Sequence, residues 1–274
     1  MLLWTDFVTE EHFGIIEKLK ETGYDGIELA IGAGDEALYG KIGNHLNDLG
    51  MESTCVTVIS ENENITSPDA KIRNAGLDRL KWVIDMCAAL GAKVLCGPTH
   101  SAFSYISRLP PSEDERLRSI ETMRKAGEYA ATVGVTITPE ALNRFECYLY
   151  NTMADLKNYI EAVDHPNVRA MYDTHHANIE EKSPSSAIKN IAPYLKHFHI
   201  SENDRGTPGS GQVLWEETFK TLKEINYDGW LTIEAFSREI PEFANAINVW
   251  RDYSPADEIY QQGYTFIKEM WAKY

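Results

Sequence analysis

Apolar runs of strand length alternate with amphipathic helical stretches along the whole chain, and nothing else in the sequence limits the fold as strongly. Strand-like runs lie at residues 2–5, 25–30, 51–59, 93–97, 135–140, 168–173, 196–201 and 230–236. Helical stretches separate them. Thr9 caps a helix whose apolar face is Phe13, Ile16 and Leu19, and which stops near Gly23. A helix over 33–49 is ended by Gly50. Ser67-Pro68-Asp69 opens a long one that reaches Leu90 and stops at Gly91, and another over 113–132 closes at Gly134. Helices over 152–163, 184–194, 215–225 and 255–273 complete the alternation. Continuous apolar strands between amphipathic helices indicate a parallel sheet covered on its outer face. Eight strands and eight helices in 274 residues suit a single α/β domain, one (β/α)8 TIM barrel over residues 1–274. Residues 20–29 and 223–234 repeat one unit: a helix end, a Tyr-Asp-Gly connection and a buried strand. An open doubly wound sheet is the alternative, and the lack of a G-x-G-x-x-G turn after the first strand disfavours it.

Four consecutive strands end on groups that bind cations or move protons. The fifth ends on Glu140, the sixth on Asp173, the seventh carries His199 and the eighth Glu234. One carboxylate at a strand end is more often an ion-pair partner than a ligand. Four in succession are different, because neighbouring barrel strands converge on one quadrant of the mouth, where the chemistry of such folds is done. Three carboxylates that close repel one another and desolvate badly, so a cation is expected among them. Three oxygens and one imidazole suit a divalent ion of the Mn²⁺, Co²⁺ or Mg²⁺ kind. Of the other histidines, His176 can point at whatever the metal holds. His175 receives no role, His197 reads as structural one layer below His199, and His100 could line the mouth. His12, His45 and His165 read as surface or helix residues.

Charge and composition narrow the partners. A net charge of −16 opposes nucleic acid or an anionic membrane surface. No apolar run approaches the roughly 20 residues of a spanning helix. The N-terminal residues lack the basic stretch and cleavage site of a signal peptide. Cys55, Cys87, Cys96 and Cys147 show no C-x-x-C spacing and read as buried free thiols in a reducing, cytoplasmic setting.

The run Glu140-Ala-Leu-Asn143-Arg144-Phe145-Glu146 resembles the signature of the ketose 3-epimerases, the D-tagatose/D-allulose 3-epimerase group of the xylose-isomerase-like barrels. The likeness continues through residues 173–181, His197-Phe-His199, Glu202, Asn203, Arg205 and Gly209, and on to Ile233-Glu234 and residues 249–252. The resemblance implies that Glu140, Asp173, His199 and Glu234 hold a divalent metal, Mn²⁺ ahead of Co²⁺ or Mg²⁺. It implies that Glu146, His176 and Arg205 bind the C1–C3 end of a sugar. It also implies a homodimer or homotetramer. The expected reaction is epimerisation of free ketoses at C3 through a cis-enediolate, with Glu140 and Glu234 as the acid/base pair. The rivals are another sugar isomerase or a C-glycoside-cleaving lyase for 3-keto sugars on the same barrel, a sugar-phosphate variant using residues 206–211, and a non-catalytic sugar-binding barrel. An apurinic endonuclease is opposed by the acidic charge.

Overall fold

A computed structural model describes residues 1–274. In chain order the elements are α1 (Phe13–Thr22), β1 (Gly26–Ala30), α2 (Glu36–Asp48), β2 (Glu52–Val56), α3 (Ala70–Leu90), β3 (Val94–Gly97), α4 (Glu113–Val133), β4 (Thr136–Pro139), α5 (Met153–Val163), β5 (Ala170–Asp173), α6 (Thr174–Glu180), α7 (Pro184–Ile191), β6 (Leu195–Ile200), α8 (Trp215–Glu224), β7 (Trp230–Ile233), α9 (Pro241–Ala246) and α10 (Ala256–Lys273). All ladders are parallel. β1-β2-β3-β4 form one sheet and β5-β6-β7 a second. A single bridge between Ile137 and Val168 joins them. No helix is long and apolar enough to cross a membrane.

The strand period of two sorts the core into two layers. Leu29, Cys55, Leu95, Ile137, Tyr172 and Phe198 face outward and pack with the buried sides of the helices, such as Ile16, Ile42, Val83, Met123, Leu156 and Ile188, in the main hydrophobic cluster. Val56, Cys96 and Met171 form a separate small cluster from β2, β3 and β5, the inner lining of the barrel. The helices start as their cap residues dictate. Asp35, Asp69, Ser112, Thr152 and Ser183 each accept a main-chain N–H of the first turn with their side chain. Gly23, Gly91 and Gly134 end α1, α3 and α4 in the left-handed conformation.

The barrel departs from the expected eight-strand count at residues 2–5. They form a turn, with the Trp4 and Thr5 N–H groups donating to the Met1 carbonyl at 2.9 and 3.2 Å. Their apolar side chains pack inward nonetheless, Leu3 buried on Ala235 and Ile259 and Leu2 half-buried beside Val56 and Met171. Apolar pattern is satisfied by burial in either conformation, so it does not by itself impose the extended one. A cavity of about 640 Å³ lies in this seam between β7 and β1. The remaining differences are small. β2 stops at Val56 rather than at 59 and the last ladder at Ile233 rather than at 236, and α6, capped directly by Asp173, and α9 are helices absent from the sequence reading.

Candidate active site

Each of the four strand-end groups is delivered by its own local device. Glu140 follows β4, where its N–H donates to the Gly97 carbonyl at 3.0 Å. Gly97 has φ of +113°, and a Cβ there would meet the Thr57 carbonyl oxygen at 2.3 Å, so only glycine permits this approach. The Glu140 carbonyl accepts from His100 Nε2 at 2.9 Å. His100, fully buried and held down to about 4 by that burial, therefore backs the site rather than lining the mouth. Asp173 ends β5, and its Oδ1 accepts the N–H groups of His175 and His176 at 2.6 and 3.3 Å. The capping leaves Oδ2 turned the other way. His199 sits on β6 and Glu234 just past β7, where the Glu234 N–H donates to the Ile200 carbonyl at 3.1 Å.

These devices bring one ligand atom from each of Glu140, Asp173, His199 and Glu234 within 4.8 Å of one another, all in buried residues. His199 Nδ1 faces Asp173 Oδ2 at 3.6 Å and Glu234 Oε2 at 3.4 Å. Glu140 Oε1 and His199 Nδ1 are buried without a hydrogen-bond partner. Such orphans are rare among buried polar atoms. Burial, and after it the charge of Glu234, lifts the Glu140 carboxyl well above the usual range. Asp173 goes the other way. Burial would raise it, but Arg205 and then His176 hold it well below. For His199, burial would lower the imidazole, and the carboxylates of Glu234 and Glu28 hold it well above the ordinary value. Three carboxylates and an imidazole, two of whose atoms are unpaired, fit a divalent cation, which would reverse the balance at Glu140.

Arg205 spans the cluster. Its Nη1 donates to Asp173 Oδ2 at 2.9 Å, to Glu234 Oε2 at 2.7 Å and to Ser201 Oγ at 2.7 Å, and Nη2 lies 2.9 Å from His176 Nε2. The backbone there is left-handed, with φ of +65°, a strained state for arginine that the surrounding loop imposes. His176 is frustrated. The Asn143 N–H donates to its Nδ1 at 3.1 Å while Arg205 offers a donor to Nε2, so either neutral tautomer leaves two donors face to face. A ligand oxygen that parted Nε2 from the guanidinium and accepted from both would resolve the conflict. Glu146 takes the Asn143 side-chain N–H at 2.7 Å, and burial raises its carboxyl. Glu140, Glu146, His176, Arg205 and Glu234 all open onto one cavity of about 620 Å³. Its outer wall is apolar, from Val58, Phe103, Phe145, Phe243 and Ile247.

Three placements differ from the sequence reading or escaped it. His175, given no role, lines the same cavity while its Nδ1 contacts the Glu202 carbonyl at 3.2 Å. The Gly-rich loop over 206–211 is filled from within. The buried Glu202 carboxylate accepts from the N–H groups of Asn203, Gly209 and Val213 and from Trp215 Nε1. Glu28, in the middle of β1, is buried under His199 and was not singled out. Its signal was present: a carboxylate inside an otherwise apolar strand is rare without a partner.

Fold and site together define an enzyme that works at the C-terminal mouth of a parallel α/β barrel. A family model for the xylose isomerase-like TIM barrel matches residues 16–270. A probable ketose 3-epimerase of Synechocystis sp. is 31% identical over 97% of this chain and 93% of its own. A D-psicose 3-epimerase of Ruminiclostridium cellulolyticum is 34% identical over 89% of this chain and 85% of its own. The solved structure of a D-allulose 3-epimerase from Methylomonas sp. superposes with a TM-score of 0.91 at 29% identity, covering 98% of this chain and 95% of that one. The chain belongs to the xylose isomerase-like barrels and, within them, to the ketose 3-epimerases, enzymes of the isomerase class.

Proposed function

We propose that this chain epimerises free ketoses at C3, of the D-tagatose, D-fructose and D-allulose type, with a divalent metal held by Glu140, Asp173, His199 and Glu234. The convergence of those four groups within 4.8 Å is the observation that carries the reading. Names borne by relatives, which include D-psicose and L-ribulose 3-epimerases, support the substrate class. The metal, Mn²⁺ before Co²⁺ or Mg²⁺, supplies Lewis-acid stabilisation of the negative charge that develops on the substrate oxygens.

Inversion at C3 requires that a proton leave one face of the sugar and that another arrive on the opposite face. Two bases are therefore needed, and Glu140 just after β4 and Glu234 just after β7 come from opposite flanks of the cluster. One carboxylate takes the C3 proton, leaving a planar cis-enediolate, and the other carboxyl returns a proton to the far face. His176 and Arg205 hold the oxygens at C1 and C2, and Glu146 orients its neighbours through Asn143. The apolar outer wall excludes water during the transfer.

The filled loop over 206–211 favours a free sugar over a sugar phosphate. The Glu202 carboxylate already takes the Gly209 N–H within this loop and the Val213 N–H beyond it, and its negative charge would repel a phosphate. Within this reading the chain works as one barrel over residues 1–274, in the cytoplasm, as a homodimer or homotetramer. The test is incubation of the Mn²⁺-loaded protein in heavy water with a panel of ketohexoses, ketopentoses and 3-keto glycosides, following deuterium at C3. Exchange with free ketoses is expected. Exchange only with 3-keto glycosides, or binding without exchange, moves the assignment to the rival lyase or to a binding protein.

A further inference from the structure

Beneath the cluster at the mouth lies a second group of buried side chains to which the reaction assigns nothing. Glu28 of β1 is its centre. Oε1 lies 3.0 Å from His199 Nε2, and Oε2 lies 2.8 Å from His197 Nε2. Thr54 Oγ1 of β2 donates to Oε2 at 2.8 Å, and the Cys96 thiol of β3 points at the same oxygen at 3.3 Å. Cys96 Sγ also lies 3.7 Å from His199 Nε2. His197, His199 and Cys96 are fully buried, and Glu28 is 7% exposed. His199 thus stands between two acidic groups of atoms, with Nδ1 toward Asp173 and Glu234 and Nε2 toward Glu28.

We propose that Glu28 is the positioning residue of the His199 ligand, keeping the imidazole proton on Nε2 so that Nδ1 presents its lone pair to the cation. The inference rests on the metal reading above and adds the strand on the far side of the barrel to it. A neutral imidazole has one donor and one acceptor nitrogen, and the group beside one nitrogen decides which is which. A carboxylate beside Nε2 fixes the proton there and raises the basicity of Nδ1, the arrangement by which outer partners of ligating histidines act. Thr54 and Cys96 hold the Glu28 carboxylate in turn, so the orientation is set from β1, β2 and β3, strands that carry no ligand of their own.

Glu28, Cys96, His197 and His199 could be imagined as a metal site in their own right. Distances oppose it. Tetrahedral zinc with bonds of about 2.0–2.3 Å sets its ligands roughly 3.3–3.7 Å apart, whereas Glu28 approaches both imidazoles to 2.8 and 3.0 Å, ion-pair contacts too close for two ligands of one ion.

The test is Mn²⁺ titration of the full-length protein, followed by electron paramagnetic resonance, for the wild type, Glu28→Gln and Thr54→Val. Wild type should take one ion per chain. Glu28→Gln should lose roughly 10- to 100-fold in Mn²⁺ affinity, because its amide can donate to Nε2 and drive the proton to Nδ1. Nitrogen-15 spectra of the histidine-labelled protein loaded with diamagnetic Mg²⁺ should show the His199 proton on Nε2 in wild type and displaced in the variant. Saturating Mn²⁺ should restore most of kcat with the KM for sugar unchanged. Thr54→Val, isosteric and gentler on folding, should lose several-fold in affinity with the same tautomer shift in part. Wild-type Mn²⁺ affinity in both folded variants overturns the proposal, as does a second ion bound to the lower cluster. Failure of wild type itself to bind Mn²⁺ would instead remove the metal reading on which it rests.

Discussion

The two sheets of the barrel divide the work unequally. β1–β4, the larger sheet, delivers only Glu140 to the cluster, while β5–β7 delivers Asp173, His199 and Glu234, with Arg205 in the loop after β6. The first sheet contributes what lies under and around these groups: Glu28, Thr54 and Cys96 below, and through its loops Val58 and Phe103 on the outer wall. Charge concentrated on one flank can be buried because the other flank supplies paired, apolar surroundings. A barrel mouth with charge spread evenly around it would leave each carboxylate half-solvated and without a common cation to share.

The sharpest way to break this comparison is to remove one acid/base from each half. Glu140→Gln and Glu234→Gln should each lower C3 exchange by on the order of 10²- to 10⁴-fold, measured by deuterium uptake. Full exchange in either variant would show that its half supplies no base. Removing the metal comes next. Chelation should abolish turnover and lower the melting temperature by on the order of 10 °C relative to protein held at a thousandfold excess of Mn²⁺ over its Kd. Unchanged melting would mean that no cation bridges the halves.

Arg205→Lys sharpens the picture on the charged side. A point charge cannot span Asp173, Glu234 and His176 at once, so kcat/KM should fall roughly 10- to 100-fold, the worth of one or two charge-assisted bonds. On the supporting side, Gly97→Ala forces a Cβ against the Thr57 carbonyl at positive φ. A loss of about 2 kcal/mol is expected, read by urea unfolding, and an unaffected variant would show that this support is pliable. The smallest effect belongs to the seam. Lys18 on α1 meets Asp257 on α10 at 3.1 Å, with both side chains largely exposed. Lys18→Ala should move neither melting temperature nor turnover.

Particular residues explain why some of this was legible and some was not. Asp173 announced itself because an apolar strand closed on a charge and two histidines followed. Glu140 and Glu234 did so by position, at the ends of runs whose burial the sequence alone predicts. Glu28 carries the same charge yet was passed over, because a carboxylate in mid-strand gains meaning only from what its neighbours across the barrel put beside it. Residues 2–5 misled for the converse reason: their apolar side chains do reach the core, but through a turn.

From the sequence alone came the parallel barrel, since hydrophobic period and cap residues act within a few residues of chain, and the four groups at its mouth, since a strand end is a local event. Tertiary structure decided the tautomer-setting layer beneath His199, the frustrated His176, the loop closed around Glu202 and the fate of the first apolar run. Each of these depends on distances of a few ångströms between atoms far apart in the chain, and pairwise electrostatics and packing at that range leave no periodic trace in the sequence.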